Sequence, residues 1–186
     1  MFFVYLKYSY HMNKTTLTLA FLILLFLFPA NDLIAQIDQE TFTIYLIRHS
    51  EKDLFSENQS DPPLTKCGIK RTDYLRSFFE DIDIEGVYST NYIRTKNSAM
   101  PIASLKKTRI QYYESDYPKV FSESLLESKQ NSLVVGHSNT IPILAGLLSG
   151  EDLDPINEKT YNRIYKIVIS KDKRKLFILN AIYNCK

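Results

Sequence analysis

The chain has 186 residues, of which 45% are hydrophobic and 24% charged, a composition typical of one globular domain with a real core. The formal net charge is only +2 and the basic residues are spread along the sequence, so composition gives no reason to expect a nucleic-acid partner. The two cysteines, Cys67 and Cys185, lack CxxC or metal-site spacing, which argues against zinc. The sequence leaves open whether they form a disulfide.

The first feature along the chain is an apolar run from Leu17 to Ala30, which is shorter than the ~20 residues needed to span a bilayer. Lys14 precedes the run and the small residue Ala35 follows it, a pattern typical of a secretory signal peptide. We therefore expect residues 1–35 to be a leader, with Met12 as an alternative start. The protein would then be exported to the periplasm or the extracellular space, without a membrane contact. An uncleaved membrane anchor and a buried core helix are the alternatives.

The remaining sequence, residues 36–186, is expected to form the functional domain, and its strand-like and helix-like segments alternate. Strands are predicted over 41–47, 84–88, 109–113, 132–135, 162–170 and 175–182. Helices are predicted from Thr65, as N-cap, through apolar positions between Ile69 and Phe79, and over 92–105, 117–128 and 141–148. This order predicts an α/β fold with three layers, in which a mostly parallel mixed sheet has helices on both faces. The last two strands are expected to form an antiparallel edge.

Reactive side chains follow three of the predicted strands. Arg48 and His49 come directly after the first strand, Arg94 lies shortly after the second, and His137 follows the fourth. Ligands of open α/β sheets bind beyond the carboxyl ends of the strands, so these four residues are expected to converge. Guanidinium groups match the oxygens of a phosphoryl group, and a neutral imidazole can attack phosphorus. The pattern therefore predicts phosphoryl transfer.

These residues also lie in segments that resemble a known family. Residues 46–52, with Arg48-His49-Ser50 at their centre, resemble the Arg-His-Gly/Ala motif of the histidine phosphatase superfamily (phosphoglycerate mutase-like). Three further segments resemble that family in the same order: 61–71, 88–99 and 134–139. Ser50 departs from the commoner glycine or alanine, and its small size predicts tolerance. The short segments between motifs resemble the small bacterial phosphohistidine phosphatase type.

The resemblance implies a role for each matched residue and a phosphoglycerate mutase-like fold. His49 would be the nucleophile that becomes phosphorylated. Arg48, Arg94 and His137 would form the phosphate-binding pocket.

The general acid of the family, a carboxylate on the loop after the third strand, is not clear from the sequence. Glu114 and Asp116 are the candidates, and the alternative is that both are solvated loop residues. Asn139 is expected to cap the helix after His137, with phosphate contact as the lesser possibility.

Together, these features predict a phosphatase that requires neither a metal nor a cofactor. Its substrate would be a small phosphorylated molecule or a phosphohistidine protein. The alternative function is a catalytically weak or inactive phosphate-binding or interaction protein that retains the pocket.

Overall fold

The computed structural model describes residues 41–171 and 173–185. The expected leader and its cleavage point lie outside the described residues. Within the described ranges, no helix is both long enough and apolar enough to cross a membrane.

The described residues form six strands and four helices that alternate through most of the chain. The strands are β1 (Thr41–Arg48), β2 (Gly86–Ser89), β3 (Ile110–Tyr112), β4 (Ser132–Gly136), β5 (Arg163–Ser170) and β6 (Lys173–Asn180). The helices are α1 (Lys66–Phe78), α2 (Ile93–Leu105), α3 (Pro118–Ser128) and α4 (Thr140–Ser149). These elements match the predicted ones, with bounds that differ by at most two residues.

All six strands join one mixed sheet in the order β3-β2-β4-β1-β5-β6. The first four in this order are mutually parallel, whereas β5 and β6 run antiparallel to their neighbours. The predicted antiparallel edge is therefore confirmed. The register places Arg48 opposite Gly136, so the chain leaves β1 and β4 at the same height. This pairing brings His49 and His137 to one end of the sheet.

Helices cover both faces of the sheet, as predicted. Ile44 and Leu46 of β1 point toward α3 and α4, where they join a buried cluster that includes Leu144. Tyr45 and Ile47 point to the opposite face and join a second cluster against α1 and α2. A strand buried on both faces explains the nearly continuous apolar sequence of β1. The three-layer α/β fold is confirmed.

The inner face of α1 includes a buried charged residue. Thr65 is the N-cap as expected, and its Oγ1 accepts a hydrogen bond from the Gly68 nitrogen at 2.9 Å. Ile69, one of the apolar positions between which the helix was predicted, is 53% exposed, whereas Arg71 is buried. Arg71 forms an ion pair with Glu51, so a charged contact and not Ile69 lies on the inner side of the first turns.

A disulfide joins Cys67 in α1 to Cys185 near the C-terminus, which answers the question that the sequence left open. The C-terminal segment is thereby fixed against α1. Arg71 adds to this attachment, because its Nη2 donates to the Tyr183 oxygen at 3.3 Å and its guanidinium lies over the Tyr183 ring.

Candidate active site

A cavity of about 310 Å³ opens at the carboxyl ends of the parallel strands. Arg48, His49, Arg94 and His137 all line it, so the structure brings the four predicted residues together. The centroids of the two imidazole rings are 5.5 Å apart. A phosphoryl-sized group in this cavity can therefore contact both rings.

His49 is buried, with 3% of its surface exposed, and its Nδ1 lies 2.7 Å from the Ser50 backbone oxygen. A carbonyl oxygen only accepts hydrogen bonds, so Nδ1 carries the proton and Nε2 keeps its lone pair. Burial is the main cause that lowers the His49 pKa to about 3, and the charge of Arg48 lowers it further. The imidazole is therefore neutral near pH 7 and has a nucleophilic nitrogen.

Two contacts fix the loop that follows His49. The Ser50 nitrogen donates to Ser98 Oγ at 2.9 Å, and that hydroxyl donates to the Arg94 oxygen at 2.8 Å. On the other side, the Glu51 oxygen accepts from the Thr65 nitrogen at 2.9 Å. The loop is thus attached to the starts of both α1 and α2.

Behind this loop, the start of α1 packs directly on the backbone of Glu51. A methyl group at Gly68 would overlap the Glu51 carbonyl oxygen, so only glycine permits this approach. The Glu51 carboxylate accepts three hydrogen bonds from Arg71, at 2.6 to 2.9 Å. This bidentate pair attaches the loop after His49 to α1.

Arg48 is held mainly by residues 157–160. Its Nη1 donates to the backbone oxygens of Asn157, Glu158 and Thr160, at 3.3, 2.6 and 3.4 Å. Its guanidinium carbon lies 4.3 Å from the centre of the Tyr161 ring. The buried Nε has no hydrogen-bond partner in the described chain.

The sequence interpretation missed Glu158, which lines the cavity. Its carboxylate accepts from Arg48 Nη2 at 3.0 Å and from the Ser138 hydroxyl at 2.7 Å. The Ser138 hydrogen bond is the main cause that lowers the Glu158 pKa, and the charges of Arg48 and Lys52 lower it further. A carboxyl group held in its ionised form is a poor proton donor, so Glu158 suits the positioning of Arg48 better than general-acid catalysis.

Arg94 lies in the first turn of α2 and is oriented by two contacts. Its Nη1 lies 3.3 Å from the Asp61 carboxylate, and its guanidinium carbon lies 4.3 Å from the Tyr92 ring centre. Asp61 also accepts from the Ile93 nitrogen at 2.8 Å, so one carboxylate both caps α2 and orients the arginine. As in Arg48, the buried Nε is without a partner among the described residues.

His137 lies against Thr90 at the end of β2. The His137 Nε2 and Thr90 Oγ1 atoms are 3.0 Å apart, and the direction of this hydrogen bond depends on the tautomer. Burial and the charges of Arg94, Arg48 and Lys52 lower the His137 pKa to about 4. The second imidazole is therefore also neutral near pH 7.

The two candidate acids lie in different places. Asp116 lines the cavity, whereas Glu114 lines a separate apolar groove beside β3. Both side chains are exposed. Their catalytic roles remain predictions, and Asp116 is the candidate that can reach a bound substrate.

Asn139 occupies the N-cap position of α4, as predicted, but its side chain makes no capping hydrogen bond. The Thr140 hydroxyl accepts from the His137 nitrogen at 3.2 Å instead. The exposed Asn139 side chain lines the cavity, which leaves phosphate contact as its prediction.

No group of three or more histidine, cysteine, aspartate or glutamate side chains that could hold a metal ion occurs in the described ranges. The cationic groups that line the cavity belong to the protein itself: Arg48, Lys52 and Arg94.

Comparison with known proteins agrees with this geometry. Residues 44–115 match the model of the histidine phosphatase superfamily (branch 1), a segment that includes Arg48, His49 and Arg94. No curated protein matches the sequence. The resemblance to the histidine phosphatase superfamily is confirmed.

Solved structures extend the comparison over the whole described fold. The alpha-ribazole phosphatase from Shigella flexneri has a TM-score of 0.62 at 16% identity, and the match covers 78% of this chain and all (100%) of the other. The protein histidine phosphatase SixA, complexed with tungstate, has a TM-score of 0.63 at 15% identity over 75% of this chain and 97% of its own. A mycobacterial glucosyl-3-phosphoglycerate phosphatase has a TM-score of 0.61 at 10% identity, and the match covers 76% of this chain and 100% of the other. At these identities, the matches show a shared fold.

Proposed function

We propose that the protein is a phosphatase that transfers a phosphoryl group from its substrate to His49 and then to water. Its strongest support is the meeting of two neutral imidazoles with two arginines whose buried Nε groups lack partners in the described chain. A phosphoryl group would supply acceptors for both Nε groups.

In the first step, Nε2 of His49 attacks phosphorus, an N–P bond forms, and the bond from phosphorus to the leaving group breaks. In the second step, water attacks phosphorus, the N–P bond breaks, and inorganic phosphate leaves while the proton passes to solvent. Arg48 and Arg94 offset the charge on the phosphoryl oxygens in both steps, so we propose that the reaction needs no metal.

Thr90 would set the tautomer of His137. The Thr95 hydroxyl donates to the backbone oxygens of Thr90 and Tyr92, so it accepts the proton of the Thr90 hydroxyl at 3.0 Å. Thr90 Oγ1 then accepts from Nε2–H of His137, and Nδ1 of the neutral imidazole keeps its lone pair.

The substrate is proposed to be a phosphomonoester or a phosphohistidine whose leaving group departs with little protonation. The one candidate acid that lines the cavity is Asp116. Its side chain is exposed, and no contact among the described residues fixes it near a leaving group. A protein histidine phosphatase is among the structural neighbours, which agrees with a phosphohistidine substrate.

A panel of substrates tests the activity. The purified protein and its His49→Asn variant would be assayed for phosphate release from an aryl phosphate, an alkyl phosphate and a phosphohistidine peptide, each with and without a chelator. We expect release that depends on His49 and is insensitive to the chelator. Tight binding of vanadate without release from any substrate would favour the alternative, a phosphate-binding protein.

We further propose that the protein is exported after cleavage near Ala35. The apolar run after Lys14 supports this, and so does the Cys67–Cys185 disulfide, because disulfides persist mainly in oxidising compartments. N-terminal sequencing of protein from the native source should begin at or near Gln36. A sequence that begins at Met1 or Met12 would contradict cleavage.

A further inference from the structure

We infer that Lys52 binds a second anionic group of the substrate, a carboxylate or a second phosphate carried by the leaving group. The inference rests on the proposed phosphatase function and deepens it, because it names the class of leaving group that the site accepts.

The position of Lys52 is fixed by the fold. Lys52 lies three residues after His49 and forms an isolated antiparallel bridge with Leu64. On one side of it, the Asp53 nitrogen donates to the Pro63 oxygen at 2.8 Å, and on the other side the Glu51 oxygen is bonded to the Thr65 nitrogen. These contacts fix the backbone from which the Lys52 side chain extends to the cavity wall.

Lys52 differs from the other two cations of the cavity in forming no ion pair within the described chain. Arg48 is paired with Glu158 at 3.0 Å, and Arg94 with Asp61 at 3.3 Å. Within residues 41–171 and 173–185, no hydrogen bond or ion pair involves the Lys52 ammonium, although the residue is half-buried. The charge of Lys52 acts on the Glu158 carboxylate, but that carboxylate accepts its hydrogen bonds from Arg48 and Ser138. A bound anion would give the Lys52 ammonium a hydrogen-bond acceptor of its own.

The other cationic groups of the cavity leave Lys52 available to a second anion. Arg48 and Arg94 are assigned to the transferring phosphoryl group, and Lys52 lines the same cavity as a third cation. In an in-line transfer, the leaving group lies on the side of phosphorus opposite the attacking Nε2. An anion carried by the leaving group therefore has a cation in the cavity that the phosphoryl group does not use.

The test compares phenyl phosphate with m-carboxyphenyl phosphate, two aryl esters whose leaving groups need little protonation. The ratio of their kcat/KM values is measured for the wild type, Lys52→Met and Lys52→Arg. Lys70→Met is the matched control, because it removes the same charge from an exposed position on α1 outside the cavity. If the substitution also changes the pKa of His137, the change affects both substrates equally and cancels in the ratio of their kcat/KM values.

We expect the wild type to have a higher kcat/KM for the carboxylated ester than for phenyl phosphate. In Lys52→Met the ratio of the two kcat/KM values should fall roughly tenfold, which corresponds to the loss of one charge-assisted hydrogen bond. Lys52→Arg should retain most of the preference, and Lys70→Met all of it. An m-phosphonophenyl ester identifies the preferred anion, because a larger Lys52-dependent preference for it than for the carboxylated ester indicates a second phosphate. An equal loss on the neutral and the charged ester would place Lys52 on the transferring phosphoryl group and overturn the inference, as would an unchanged ratio.

Calorimetric binding of the same esters to His49→Asn, with and without Lys52→Met, gives a readout that needs no turnover. A Lys52-dependent preference for the charged ester would support the inference even if the wild type failed to hydrolyse phenyl phosphate. Failure of the proposed function is therefore distinguishable from failure of this inference. Equal binding of both esters, with and without Lys52, would overturn it.

Discussion

The floor of the cavity, formed by Arg48, His49, Arg94 and His137, is fixed by contacts with residues far away in the sequence. The mouth, formed by Ser115 and Asp116, is held differently, because the exposed Asp116 side chain makes no hydrogen bond or ion pair within the described chain. A fixed floor can act in the same way on every phosphoryl group. The mouth offers few fixed groups for protonating the leaving group, so the chemistry of the leaving group should decide which substrates react.

The largest expected effect is on the floor. Arg94→Ala should lower kcat/KM on aryl, alkyl and phosphohistidine substrates by a similar factor, roughly 100- to 1,000-fold, because the lost contact is to the group that they share. Steady-state rates on the three substrates measure this. A loss confined to one substrate would place Arg94 on the leaving group and break the distinction between floor and mouth.

The second effect is on stability at low pH. The folded protein keeps His49 neutral down to a pKa of about 3, whereas the unfolded chain protonates this histidine near its ordinary value of 6.5. Between these values the unfolded state binds the extra proton, so stability falls as pH decreases from about 6.5 toward 3. From pH 6.5 to pH 4, His49 alone should account for about 3 kcal/mol.

Urea unfolding of the wild type and of His49→Asn across this pH range measures that contribution. The variant should lose less stability than the wild type over the same interval. Parallel curves for the two proteins would show that the histidine is not kept neutral by the fold.

The third effect concerns the ion pair that attaches the loop after His49 to α1. Glu51→Gln removes the charge that faces the buried Arg71 guanidinium, and we expect the free energy of unfolding to fall by about 2 kcal/mol. Glu85→Gln is a control that also removes a carboxylate, at the more exposed hydrogen bond to the Asn131 nitrogen. Thermal and urea unfolding report the difference. A larger loss in Glu85→Gln would show that the Glu51–Arg71 pair adds little support.

The smallest expected effect is at the mouth. Asp116→Asn should lower the ratio of alkyl to aryl phosphate rates by less than tenfold, because its exposed side chain is not fixed near a leaving group. Glu114→Gln, in the neighbouring groove, should leave the ratio unchanged. A general acid normally contributes about 100- to 10,000-fold, so a loss of that size in Asp116→Asn would make the mouth a catalytic element.

The fold and the floor were predictable because both depend on local patterns. Alternating strands and helices indicate a layered sheet, and the residues directly after β1 and β4 must lie at one end of it. The register that places Arg48 opposite Gly136 satisfies this condition.

The partners of these residues could not be predicted in the same way. Glu158 follows Arg48 by 110 positions and lies outside the segments that resemble the family. Asp61 lies inside such a segment, but its contact with Arg94 becomes visible only when the chain is folded. The exposed Ile69 shows the same limitation, because a pattern of apolar residues carries no information about a buried ion pair on the same helix.

Trapping the phosphorylated protein tests the central claim most directly. Labelled aryl phosphate would be mixed rapidly with the protein, quenched in alkali, in which phosphohistidine survives, and the label located by peptide mapping. We predict label on the peptide that contains His49, absent in His49→Asn and chased by unlabelled substrate. Label on the His137 peptide, or hydrolysis without any trapped label and with equal rates in His49→Asn, would contradict the assignment of His49 as the nucleophile.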